Sequence, residues 1–128
     1  MKFAKWVFLA AGIYGILVTL PLYNESGTAQ VFPPAVNHPE YYYGFISTVI
    51  AWQVAFIFIS RDPLAHRPLM IPAIMEKMIY VASIVVLAFQ GRVAGAMIGF
   101  AAIDFILGAL FIVSYVLTGK ANEGATPG

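Results

Sequence analysis

Four stretches of this chain are each long and apolar enough to cross a lipid bilayer, and together they use up nearly all of it. The hydrocarbon core is about 30 Å thick and a helix rises about 1.5 Å per residue, so a span needs about 20 mostly apolar residues. Residues 3–22, 42–60, 68–89 and 94–117 meet that condition. In a chain of 128 residues this leaves short connections and a tail, with no room for a soluble domain. Charge agrees. Only 10% of the residues are charged and 61% are hydrophobic, far too little charge to cover the surface of a small soluble domain. The expected fold is an all-α membrane protein, an antiparallel bundle of four transmembrane helices over residues 1–118. A flexible cytoplasmic tail is expected over residues 119–128, which are small, polar and glycine-rich.

The first apolar stretch has some features of a signal peptide. Lys2 and Lys5 give it a basic start, and Gly27-Thr28-Ala29 is a weak cleavage-like site. Its apolar run exceeds the usual ~7–15 residues, and that site lies well beyond its end, so a retained helix is expected. Basic residues then orient the bundle. With a cytoplasmic N-terminus, Lys2, Lys5, Arg61, Arg67 and Lys120 all fall inside and Arg92 alone falls outside. Both termini are therefore expected on the cytoplasmic side of the membrane.

The connections differ in character. Residues 23–40 contain Pro33, Pro34 and Pro39 and no basic residue, which predicts an extended segment rather than a helix. It leads into Tyr41-Tyr42-Tyr43, suited to the headgroup layer. Asp62-Pro63 starts a turn in the short charged connection, and Pro68 or Pro72 fits the first turn of the next helix. Gln90-Gly91-Arg92 is tight enough to make an antiparallel hairpin of the last two spans.

Several chemistries are excluded or unsupported. With no cysteine, the chain offers no disulfide, thiolate metal site or iron–sulfur ligation. A net charge of +1 gives no case for nucleic acid. His38 and His66 lie in connections, so no span supplies an axial haem ligand. His38 and Glu40 are only two ligands, short of an ordinary metal site. No phosphate-binding loop, nucleophile elbow or zinc motif occurs. No metal, cofactor or catalytic residue is assigned on these grounds.

Polar groups at membrane depth are few: Tyr14, Gln53, Glu76, Lys77, Tyr80 and Asp104. Ionisable groups there are costly and mark function by default. Counting helical rise from the nearest boundary puts Gln53 and Glu76 about 12 Å in from the basic side and Asp104 about 18 Å in from the other. In a core of about 30 Å these levels nearly coincide, which predicts one polar layer across the second, third and fourth spans. Tyr80 stands one turn from Glu76 on the same face. Lys77 can snorkel toward its helix N-terminus, or neutralise Glu76 or Asp104. The same groups could also serve only as interhelical glue, each such bond averaging about 0.6 kcal/mol.

Gly91, Gly95 and Gly99 recur at four-residue spacing on the last span, followed by Ala102. Such a stripe lets another backbone approach closely and suits either bundle packing or a membrane-protein partner. Asp104 faces elsewhere, with Ala101 and Gly108 on its side. Ala11, Gly12 and Gly15 form a weaker version on the first span.

Tyr42-Tyr43-Gly44-Phe45, Ala51-Trp52-Gln53, Arg61-Asp62-Pro63, Glu76-Lys77 and the Gly91 to Asp104 stretch resemble a family of small four-span bacterial membrane proteins, and in shape the chain is similar to DoxX-like proteins. The resemblance implies the four-span fold and carries over no activity or residue role. In size the chain also resembles small four-span multidrug exporters, but those carry an essential carboxylate in the first span, where this chain has no acidic residue. The expected role is a non-catalytic accessory or scaffolding subunit of a larger bacterial membrane assembly. The alternative is an intramembrane site for a small lipophilic or cationic ligand, transporter- or isomerase-like, using Glu76 and Asp104. A closed bundle with an exposed small-residue face would favour the first. A cavity joining Glu76, Tyr80, Asp104 and Gln53 would favour the second.

Overall fold

The computed structural model describes residues 1–125 and is helical almost throughout. Its helices are α1 (Lys2–Thr19), α2 (Glu25–Val31), α3 (Pro39–Arg61), α4 (Met70–Phe89) and α5 (Gly95–Ala125), with 3-10 turns at Leu20–Tyr23 and Arg67–Leu69. Four segments, Lys2–Tyr23, Pro39–Arg61, Arg67–Phe89 and Gly95–Glu123, are long and apolar enough to cross a membrane. Short links make them alternate in direction, giving an all-α antiparallel bundle. α1 packs along α3, α4 packs along α5, and α1 crosses to α5, whereas α3 and α4 barely touch.

Each span turns one narrow stripe inward. Buried positions recur at three- and four-residue steps: Ala4, Phe8, Ala11 and Gly15 on α1, Ile46, Gln53, Phe56 and Ser60 on α3, Met70, Ala73, Lys77 and Ile84 on α4. On α5 they are Ala101, Gly108, Phe111, Ser114 and Thr118. That spacing keeps one side of a 3.6-residue helix facing its neighbours. The opposite faces carry large exposed apolar residues such as Trp6, Phe58, Ile79, Phe89 and Phe105, as a lipid-facing surface requires.

The core sits toward the end that carries Lys2, Arg61 and Arg67, called here the basic end. Phe8 stacks on Phe111 at 4.2 Å between ring centroids, and Phe56 meets both edge-on, at 6.0 Å and 5.0 Å. Offset stacks and edge contacts are the favoured aromatic geometries. Below them Thr118 donates to the Ser114 carbonyl at 2.7 Å. Arg67 closes this end: its Nε donates to the Tyr115 carbonyl at 3.0 Å, and its guanidinium lies 3.7 Å from the Tyr115 ring centroid.

Local signals explain the turns. Asp62 Oδ1 accepts from the Ala65 N–H at 3.2 Å, fixing the connection between α3 and α4. Pro68 opens the 3-10 turn that leads into α4. Gly91 adopts φ +67° in the α4–α5 turn, a conformation glycine takes without steric penalty.

Three expectations need correction. The 23–40 connection is not extended throughout, because Asn24 caps α2 by accepting from the Gly27 N–H at 3.1 Å. Pro33 and Pro34 follow that helix rather than interrupt it, so proline confines the extended part to the segment before α3. The second span also begins earlier than residue 42, since Pro39 fits a first helical turn. Finally, α5 runs on through Ala125 where a flexible tail was expected from residue 119. Gly119 is held against the Arg67 guanidinium, close enough that a Cβ there would meet Nη2 at 2.5 Å. The rest of the expected tail, residues 126–128, lies outside the described residues.

Candidate functional site

Above the aromatic core the bundle does not close. All four spans and α2 surround a cavity of roughly 640 Å3. On every helix the inward stripe changes character at this level: Phe8 gives way to Gly15 on α1, Phe56 to Gln53 on α3, Ala73 to Lys77 and Tyr80 on α4, and Phe111 to Gly108 and Asp104 on α5. Phenylalanine gives way to glycine, glutamine and aspartate on α1, α3 and α5, while α4 brings in Lys77 and Tyr80, so space and polarity appear together.

Lys77 organises the floor. Its Nζ donates to Asp104 Oδ1 at 3.3 Å and lies 3.6 Å from Glu76 Oε2. It also sits 5.4 Å from the Phe56 ring centroid, which places this charged group directly on the aromatic core. Lys77 is only 3% exposed. Of the two placements open to Lys77, snorkelling or neutralising a carboxylate, it takes the second, because Glu76 and Asp104 inside the bundle offer its ammonium a shorter route to charge compensation than the boundary does. Lys77 thus bridges Glu76 and Asp104.

Gln53 is fully buried. Its Nε2 donates to the Val49 carbonyl one turn back at 3.0 Å, whereas its Oε1 has no hydrogen-bond partner among the described residues. Glu76 Oε2 likewise lacks a hydrogen-bond donor, the Lys77 ammonium standing just beyond bonding distance. Glu76 Oε2 keeps its ion pair with Lys77, but Gln53 Oε1 has neither hydrogen bond nor ion pair among the described residues, and leaving such a group unpaired costs about 1–3 kcal/mol. Tyr14 and Tyr80 also line the cavity. The structure therefore brings Gln53, Glu76, Lys77, Tyr80 and Asp104 around one space.

The far side of the cavity is covered by α2, through Asn24, Gly27, Thr28, Val31 and Phe32. Sequence reasoning missed this cover. Its one available signal was Asn24 followed by Glu25, a good cap with an acidic first turn. Two tyrosines of the 41–43 cluster tie α3 to the cover and to the 3-10 turn that precedes it. Tyr43 donates to Glu25 Oε2 at 2.8 Å, and the Tyr42 hydroxyl donates to the Leu22 carbonyl.

The glycines divide differently from their spacing. Gly91 lies in the α4–α5 turn and packs no helix. A Cβ at Gly95 or Gly99 would meet nothing within 4 Å, so these two face away from the bundle. The close approaches are elsewhere. A Cβ at Gly12 would stand 2.8 Å from the Gln53 carbonyl oxygen, and one at Gly15 would overlap the Gln53 side chain. At Gly108 a Cβ would come within 2.6 Å of Met78 Cε and 3.2 Å of Lys77 Cβ. The weaker-looking stripe of α1 is the one that lets α3 approach, and it seats Gln53 at the floor.

His38 and Glu40 make an exposed pair at 3.2 Å. Among the described residues no group of three or more His, Asp or Glu side chains could hold a metal ion. Comparisons with family models, curated proteins and solved structures find no match to this chain.

Proposed function

We propose that this chain binds a small lipophilic molecule inside the bilayer, with the ligand's polar end at Gln53, Glu76, Lys77 and Asp104. The observation that carries the proposal is a cavity of roughly 640 Å3 lined together by Gln53, Glu76, Lys77, Tyr80 and Asp104, beside which Gln53 Oε1 is buried without a hydrogen-bond partner among the described residues. Ligand sites are concave, mostly apolar spaces of about 300–1,000 Å3 with a few convergent polar groups. This cavity has that size and that distribution of polarity. The thin packing between α3 and α4 supplies a side from which a molecule dissolved in the bilayer can enter.

On this reading the protein lies in a bacterial inner membrane with its basic end cytoplasmic, as the excess of lysine and arginine there favours. The cavity then opens in the outer half of the membrane. Cysteines placed singly at Ser26 and Ala121 test the orientation. Only the first should react with an impermeant reagent on intact cells, and reaction at Ala121 instead would reverse it.

The ligand itself is sought by native mass spectrometry after gentle detergent extraction. Val49 lines the cavity, so Val49→Trp should fill it. A lipophilic mass that accompanies the wild type and is absent from Val49→Trp supports the proposal. Adducts that persist unchanged in the filled variant would overturn it. A second reading, an accessory subunit of a larger assembly, is favoured by the open Gly95–Gly99 face and makes a different prediction. Co-purifying protein lost in Gly99→Leu would support it.

A further inference from the structure

The carboxyl groups at the cavity floor outnumber its cations, and this bears on the ligand's chemistry. Glu76 and Asp104 share one ammonium, that of Lys77. Among the described residues no other lysine or arginine lines the cavity. With all three groups ionised, one negative charge is left over in a low-dielectric interior, where an unpaired charge is expensive. The hydrogen-bond pattern is lopsided in the same direction. Lys77 donates to Asp104, and the two atoms left without donors, Glu76 Oε2 and Gln53 Oε1, both accept. An ionised carboxylate and an amide oxygen can only accept.

Resting on the binding reading above, we propose that the ligand is a lipophilic amine, whose protonated head sits at Glu76 and Gln53 and whose hydrocarbon part fills the rest of the cavity. A primary or secondary ammonium supplies what the floor lacks, one positive charge and at least two N–H donors. Tyr14 and Tyr80, which line the same space, bring aromatic rings to which a cation is attracted. Other heads fit less well. A hydroxyl brings one donor and no charge. A quaternary ammonium brings charge and no donor. A carboxylate adds to the excess negative charge. Asp104 remains engaged by Lys77, so Glu76 is the residue that selects for the amine.

The test uses four twelve-carbon probes that differ only in the head: dodecylamine, dodecanol, dodecyltrimethylammonium and dodecanoate. Each is added at equal concentration to the purified full chain in mild detergent, and retention is read by native mass spectrometry. Wild type should retain dodecylamine about tenfold more than dodecanol, the ratio expected for about 1.4 kcal/mol from a charge-assisted contact. Glu76→Gln should erase that preference and Glu76→Asp should keep it. A thermal melt of each variant separates lost binding from lost folding. Val49→Trp should eject every probe. Equal retention of amine and alcohol in wild type, both lost in Val49→Trp, would overturn the amine and leave the binding site standing. Retention of the trimethyl head equal to that of the amine would overturn N–H donation to Gln53 and Glu76. If no probe is retained, or if Val49→Trp retains them all, the binding reading itself fails and the amine with it.

Discussion

The two halves of this bundle are built on the same four helices and the same inward stripes, yet one is closed and the other is hollow. At the basic end Phe8, Phe56 and Phe111 fill the space between helices and exclude everything else. One to two turns along, the same stripes carry Gly15, Gln53, Lys77 and Asp104, and a cavity opens. The same helices run through both halves, and the side chains they turn inward change in volume and polarity between them. The closed half supplies the rigidity on which the hollow half can hold unmatched polar groups.

The largest difference should appear when a large aromatic is removed from each half. Phe56→Ala takes a fully buried ring from the junction of three helices and should cost about 3 kcal/mol. Phe100→Ala removes a partly exposed ring from the cavity wall and should cost under about 1 kcal/mol. Unfolding titrations in mixed micelles compare them. Equal losses would mean that the upper half is packed as tightly as the lower.

A smaller effect separates charge from packing. Lys77→Met leaves Glu76 and Asp104 without their shared cation and should destabilise by about 2–3 kcal/mol near neutral pH. The triple variant Glu76→Gln, Lys77→Met, Asp104→Asn removes the unpaired charge as well and should recover most of that loss. A triple variant no more stable than Lys77→Met alone would show that shape rather than charge makes Lys77 necessary. Smaller again is the contrast between glycines. Gly12→Ala forces α1 against the Gln53 backbone carbonyl and should cost about 1–2 kcal/mol. Gly99→Ala, with open space at its Cβ, should change the stability of the isolated chain by under about 0.5 kcal/mol. A reversal of that order would return the packing role to the α5 stripe.

Much of the fold is legible in the sequence because a bilayer imposes it. Span length, the cost of exposed backbone in hydrocarbon and the short links between apolar runs leave a four-helix antiparallel bundle as the natural outcome. The depth of Gln53, Glu76 and Asp104 follows from helical rise alone, and this is why residues from three helices could be assigned to one level. What depth does not contain is rotation. Whether Gly95 and Gly99 face the bundle or lipid depends on how α5 turns about its axis, and four-residue spacing reads the same either way. The bundle-facing side of α5 follows Ala101, Asp104, Gly108 and Phe111, which leaves the more regular glycine stripe outside. Lys77 is open in the same way: depth alone allows it to snorkel or to neutralise a carboxylate, and the rotation of α5 decides for the second by bringing Asp104 within 3.3 Å. α2 was hidden by the three prolines, whose positions after the helix matter more than their number.

Reactivity of single cysteines tests the contrast between a hollow and a closed half most directly, and the chain has no native cysteine to interfere. Val49 lines the cavity wall, and Ser114 is fully buried in the closed half. In native membranes, N-ethylmaleimide should modify Val49→Cys readily and leave Ser114→Cys untouched until the protein is unfolded. Modification of both positions at the same rate, or of neither, would contradict the account.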